Sequence, residues 1–197
     1  ASDATSNEDS VINGGGAAYA NTTLTVYGEA DAFDAGTTLT GGTGTDSLVI
    51  SQKATSGNAT AKIDGDITGF ENITVTDTAG NNTGGVTLDI NDAAYATALT
   101  IDTSALDAGE ADTIQAGNAA VALTVTAGEG ISTIDTGTKA DTITSGGGND
   151  VINAQAGLDN ISAGAGNDAI TADTEADFLT TLGTDTVDGG AGTDSLT

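Results

Sequence analysis

The side chains in this chain with the most chemistry to offer are carboxylates, and they recur at a fixed interval. From Ala127 the sequence divides into nine-residue lines: AGEGISTID, TGTKADTIT, SGGGNDVIN, AQAGLDNIS, AGAGNDAIT and ADTEADFLT. Asp holds position six in all but the first, as Asp141, Asp150, Asp159, Asp168 and Asp177. After a one-residue deletion the pattern resumes with Asp185 and closes with GGAGTDSLT, which carries Asp194. An isolated copy, GGTGTDSLV, spans residues 41–49 and contains Asp46. Carboxylates in series are hard oxygen donors, suited to Ca²⁺, which takes about six to eight oxygens in flexible geometry. Thiolate metal sites and thiol redox chemistry are excluded, because the chain has no Cys, and it has no His either.

Glycine at positions two and four supplies the rest of such a site, since a residue without Cβ adopts positive φ and lets a cation approach backbone carbonyls. These positions hold Gly42 and Gly44, Gly146 and Gly148, Gly157, Gly164 and Gly166, Gly183, and Gly190 and Gly192. Two lines depart from the pattern, with Lys139 and Glu175 at position four, which weakens the sites using those turns. The fragments GEADAFDAG (28–36) and GEADTIQAG (109–117) match at six of nine positions and make Asp31 and Asp112 further candidates.

Charge points the same way. The 29 Asp and Glu residues face only Lys53, Lys62 and Lys139, a formal net charge of −26. Self-repulsion of that size opposes a compact state, whereas 37% hydrophobic content argues against simple disorder. Recruited cations resolve the conflict. Nucleic acid and anionic membrane surfaces are poor partners for such a chain, and no apolar run approaches the roughly 20 residues of a membrane span. Ala1 opens no basic, apolar signal segment, so the chain reads as mature or excised from something longer. Catalysis is not expected: nucleophile and base pairs, G-x-S-x-G and H-E-x-x-H are missing, and aromatic sugar contacts are scarce, with three Tyr and three Phe.

The elements that position these carboxylates follow from the apolar pattern. Position eight of each line is apolar: Ile134, Ile143, Ile152, Ile161, Ile170 and Leu179, then Val187 and Leu196. Residues seven to nine form a short strand with position eight inward. Two lines make one coil, which stacks Asp141 with Asp159, Asp150 with Asp168, Asp159 with Asp177, Asp168 with Asp185, and Asp177 with Asp194, for roughly five bridging ions. Upstream, apolar strand centres recur at wider spacing: Val26, Leu39, Ile50, Ile63, Val75, Leu88, Ile101, Ile114 and Val125. Alternating segments such as NITVTD (72–77) and GVTLDI (85–90) read as strands with one buried face. The prediction is an all-β parallel solenoid, with longer rungs over 1–126 and nonapeptide rungs over 127–197, the two forming one continuous stack. DAAYATA (92–98) is the best place for a helical turn or an outward loop.

Over Ala127–Thr197, and again over Gly41–Val49, the chain resembles the RTX, or haemolysin-type, calcium-binding family. The upstream part, with GGTGTDSL followed by ITGFENITVTDT (67–78), resembles the longer-runged solenoids of bacterial S-layer proteins and surface adhesins. The resemblance implies a right-handed parallel β-roll with calcium ions in the turns, type I secretion in an unfolded state, and calcium-triggered folding outside the cell. It implies ligation by the position-six Asp residues and by carbonyls of the preceding turns. The expected role is a structural protein that self-assembles at the cell surface, into an S-layer or an extracellular matrix filament of the kind found in biofilms. Its partners would be copies of itself and cell-surface polysaccharide. The alternative is a calcium-stiffened spacer or adhesin module, or the non-catalytic secretion and folding domain of a secreted RTX enzyme.

Overall fold

The computed structural model describes residues 11–13, 23–28, 38–41, 44–52, 62–63, 67–77, 85–90, 97–172 and 185–197. Asp177, Gly183, Gly42, Asp31, Lys53, Glu175, Leu179 and residues 92–96 of DAAYATA lie outside them. Every regular element among the described residues is a strand, and every pairing is parallel.

The strands form three ladders. A short sheet joins β1 (Val11–Asn13), β3 (Thr38–Thr40) and β6 (Ile67–Thr68). An eight-stranded sheet joins β2 (Thr23–Gly28), β4 (Ser47–Gln52), β7 (Asn72–Asp77), β9 (Leu99–Asp102), β11 (Leu123–Thr126), β13 (Thr142–Thr144), β15 (Asn160–Ser162) and β17 (Thr186–Asp188), in that order. A seven-stranded sheet joins β5 (Lys62–Ile63), β8 (Val86–Asp89), β10 (Asp112–Gln115), β12 (Ser132–Asp135), β14 (Val151–Gln155), β16 (Ala169–Ala172) and β18 (Ser195–Leu196). From β7 onward, successive strands alternate between the two long sheets, which defines a parallel β-roll. Both long sheets run without a break across residue 126.

Side-chain alternation explains the packing. In a strand successive residues point to opposite faces, and the buried positions follow that period, as in Asn72–Asp77, where Ile73 and Val75 are buried and their neighbours half-buried. On the eight-stranded sheet, Ile73, Ile101, Val125, Ile143, Ile161 and Val187 stack in register. On the seven-stranded sheet the matching stack is Leu88, Ile114, Ile134, Ile152, Ile170 and Leu196. The two inner faces make one hydrophobic cluster. Most expected strand centres are in register, with two departures: Ile101 pairs with Ile73 instead of Val75, and Leu39 pairs with Ile67 in the short sheet, apart from the ladder of Ile63. The core narrows along the roll, since β7 buries Ile73 and Val75, whereas β15 buries Ile161 alone and is followed by buried Ala163.

Candidate metal centre

In the nonapeptide region the position-six residue opens or directly precedes each described strand, and from Ser132 to Asp168 its side chain is buried, whereas Asp185 is half-buried and Asp194 exposed. Asp141, Asp150, Asp159 and Asp168 are all 1–2% exposed. One carboxylate oxygen of each accepts a hydrogen bond from a backbone N–H one coil earlier. Asp141 Oδ1 accepts from Leu123 N and Asp150 Oδ1 from Ser132 N, both at 2.8 Å. Asp159 Oδ1 accepts from Asp141 N at 2.8 Å, and Asp168 Oδ1 from Asp150 N at 2.9 Å. The carboxylates therefore stack in two columns, one at the head of each long sheet.

The second oxygen has no such role. Oδ2 of Asp141, of Asp150 and of Asp168 is buried without a hydrogen-bond partner. The Thr136 and Ser145 hydroxyls face the Asp141 and Asp150 carboxylates and oppose the rise in their pKa, but neither completes a hydrogen bond to Oδ2: Ser145 donates to the Ala163 carbonyl at 2.7 Å, and Thr136 to the Ala154 carbonyl at 3.5 Å. Leaving a buried acceptor unmade costs about 1–3 kcal/mol, more when it is charged. Burial pushes the carboxyls of Asp141 and Asp150 up to about 6, opposed by the N–H of Leu123 and of Ser132 respectively and reinforced by the neighbouring Asp159 and Asp168. An isolated buried carboxylate is costly; a cation on its open oxygen removes that cost.

The turns before these strands provide the remaining oxygens. Gly146, Gly148, Gly164, Gly166, Gly190 and Gly192 all have φ between +80° and +146°, and Gly44 has φ +119°. A Cβ on Gly166 or Gly192 would overlap the carbonyl of the residue stacked one coil earlier, Gly148 or Gly166. The carbonyls of this turn column thus point along the stack toward the glycines of the next coil. Among the described residues no three Asp, Glu, His or Cys side chains converge on one point. Two carboxylates supplemented by carbonyls is the donor set this geometry provides, and it suits Ca²⁺ in oxygen number and hardness.

Several expectations need correction. The chain does not continue the 18-residue step beyond Asp168: Asp159 N donates to Asp185 Oδ1 and Asp168 N to Asp194 Oδ1, each 26 residues on. Asp159 is therefore stacked with Asp185, not Asp177, and Asp168 with Asp194, not Asp185. The inward residues decide this, because Ile161 pairs with Val187 and Ile170 with Leu196. Asp194 stacks on Asp168, and the expected pairing of Asp177 with Asp194 falls on a residue outside those described. Gly157 is not among the positive-φ residues; Gln155, at position two of that line, takes φ +55° instead. Its amide donates to the Gly117 carbonyl at 3.2 Å and to Asp135 Oδ1 at 3.0 Å, which holds this unusual conformation.

The structure also sorts the turns. Lines with glycine at both positions two and four, from Gly128 and Gly130 to Gly190 and Gly192, all precede strands of the seven-stranded sheet. The described lines with only one of these glycines, those of Lys139 and Gln155, precede strands of the eight-stranded sheet. Two lines per coil put alternate lines on the same side.

Residue Asp46 has a neighbour that the sequence pattern did not reveal. Ser47 pairs with Asn72, so Glu71 stands one coil beyond Asp46, and Asp46 N donates to Glu71 Oε2 at 2.7 Å. The signal was present in spacing alone: Glu71 precedes Ile73 by two residues, as Asp46 precedes Leu48.

Family models for the RTX calcium-binding nonapeptide repeat match residues 126–161, 145–179 and 162–196. Residues 126–196 are RTX repeats. RTX repeats bind calcium ions. Such repeats are typical of secreted bacterial proteins and make calcium-binding structural modules of them. Residues 38–85 match a different model, the bacterial antifreeze protein repeat, and this match contains the isolated GGTGTDSLV. Neither the curated proteins nor the solved structures contain a significant match to the chain.

Proposed function

We propose that the chain is a calcium-folded structural segment of a secreted surface protein, one continuous solenoid that is non-catalytic and assembles with copies of itself at the cell surface. The observation that carries this reading is the set of buried aspartate oxygens without partners at Asp141, Asp150 and Asp168. At −26 net charge the roll repels itself when metal-free, and calcium binding to the folded state alone stabilises it by mass action. Folding of the nonapeptide coils is then conditional on millimolar calcium, as suits a segment exported unfolded. Assembly is supported by the form of the solenoid, since stacked parallel coils present strand edges that pair with further strands. The test is circular dichroism with sedimentation during a calcium titration from chelator to ~10 mM, spanning extracellular site affinities, with magnesium as control. Calcium-specific gain of β signal followed by large particles supports the assembling surface protein. Folding without association leaves a calcium-stiffened spacer, and no calcium response sinks the reading.

A second reading is favoured by one surface. On the outer face of the eight-stranded sheet, Thr23, Ser47, Asn72, Thr100, Thr124, Thr142, Asn160 and Thr186 pair in register. This rank contains no charge, although the chain holds 29 carboxylates. Regular hydroxyl and amide groups about 4.8 Å apart between strands suit an ordered surface such as ice, in keeping with the antifreeze-type match over 38–85. Inhibition of ice recrystallisation by the calcium-loaded chain, lost in Thr124→Lys with Thr142→Lys, is the expected result; equal inhibition by that variant removes the rank from consideration.

A further inference from the structure

One coil before the matched RTX repeats, the glycine-rich turn column continues with a different composition. In the line before β10, Glu110 stands at position four, where the later turns have glycine, and Asp112 stands at position six. Asp112 pairs in register with Val86 on one side and Ser132 on the other, so it is the first carboxylate at the head of the seven-stranded sheet from β8 onward. Its turn stacks directly on the later ones, because a Cβ on Gly130 would overlap the Glu110 carbonyl and lie 3.1 Å from the Asp107 carbonyl.

Both side chains are enclosed, Glu110 at 2% exposure and Asp112 at 3%. Each uses one oxygen. Glu110 Oε2 accepts from Asp107 N at 2.8 Å, which closes the turn, and Asp112 Oδ2 accepts the Thr103 hydroxyl. Glu110 Oε1 and Asp112 Oδ1 are buried and have no hydrogen-bond partner. Ser132 and the Gly128 amide face the Asp112 carboxylate and oppose its rise in pKa, but neither completes a hydrogen bond to Oδ1. Asp77 and Asp107 add further negative charge around Glu110. Capping alone accounts for one oxygen of Glu110 and leaves the other desolvated. Two half-used, buried carboxylates two residues apart in one turn each leave an open oxygen that a cation would satisfy.

We infer that Glu110 and Asp112 form an additional calcium site, outside the repeat family's match, at the junction where the long apolar coils meet the nonapeptide coils. It differs from the RTX turns in drawing both carboxylates from a single turn, with Glu110 replacing the position-four glycine, while the carbonyls of Asp107 and Glu110 add oxygen donors. The inference rests on the calcium reading of the repeats.

The test counts ions on the full chain by native mass spectrometry across a calcium titration, with hydrogen exchange over residues 103–112. The wild type is compared with the double variant Glu110→Gln, Asp112→Asn, and with Asp150→Asn as a reference inside the repeats. The double variant is expected to bind one ion fewer at saturation and to lose the calcium-dependent protection of 103–112, while protection of 141–172 persists. An unchanged ion count with unchanged protection overturns the inference and leaves the calcium reading of the repeats standing. Absence of calcium binding by the wild type overturns both. If the double variant fails to fold in calcium, Glu110→Gln alone, which retains an acceptor for Asp107 N, is scored on the same count, and a wild-type count overturns the site.

Discussion

The inward slot at the head of each strand is filled in two ways along one solenoid. In the upstream coils it is mostly apolar, with Val86, Leu99 and Leu123 each 1–2% exposed and Asp46 and Asp112 as buried exceptions; in the nonapeptide coils it holds Asp141, Asp150, Asp159 and Asp168, equally buried. The columns are continuous, since Leu99 pairs with Leu123, whose N–H in turn bonds Asp141. The same backbone is thus held by apolar burial, which needs no partner, or by carboxylates, which need a cation. The coil contracts as the filling changes, from 24 residues between Leu99 and Leu123 to 18 between Leu123 and Asp141. Shorter coils bury less apolar surface, and under the proposed function a cation on the carboxylates would supply what the core no longer does.

Removing calcium should break the comparison most sharply. In chelator at neutral pH, amide hydrogen exchange is expected to lose protection throughout 141–172 while 99–102 and 123–126 keep most of theirs. Equal loss in both regions would show that the apolar coils also depend on metal.

Truncating the core probes the other filling. Ile101→Ala removes a fully buried side chain from the apolar stack and should cost about 2–5 kcal/mol in chelator and calcium alike. Ile143→Ala should cost a similar amount in calcium, and in chelator no folded signal should remain to lose, as denaturant melts of each variant would report.

The two turn columns offer a finer contrast. Asp150→Asn or Asp168→Asn, beneath turns with both glycines, should weaken one site about tenfold, or ~1.4 kcal/mol. Asp141→Asn, beneath the Lys139 turn, should weaken calcium binding less, because that turn contributes a poorer carbonyl cradle and a cation of its own. Isothermal calorimetry distinguishes the two. Gly166→Ala should be strained by φ +141° and overlap with the Gly148 carbonyl, whereas Gly109→Ala meets nothing within 4 Å and should be near neutral in thermal melts.

The smallest effect concerns pH. With burial lifting Asp141 and Asp150 to about 6 from an ordinary value of 3.8, the folded metal-free roll binds more protons than the unfolded chain between these limits. Its stabilisation by protonation is complete below about 3.8 and lost as pH rises through about 6. Acidifying a chelated sample from pH 7 to 4.5 should therefore recover part of the β signal in 141–172, and calcium affinity should fall over the same interval.

Much of this was legible in residue order. Position-eight side chains from Ile134 to Ile170 announced the strands because an inward residue must be apolar when nothing else fills the interior, and the Asp series with missing His and Cys announced calcium because only hard oxygen donors were on offer. The coil partners of Asp159 and Asp168 were not legible. Spacing along a chain does not say how many residues a connection consumes; the pairing of Ile161 with Val187 and of Ile170 with Leu196 does, and it moves the partners to Asp185 and Asp194. Glu71 opposite Asp46, the glycine-rich turns gathered on one side, and the unpartnered oxygens of Glu110 and Asp112 likewise exist only once the coils are stacked. Composition and period determined the kind of coil and the ion it calls for, while register across coils, set by inward apolar pairing, decided which carboxylates meet.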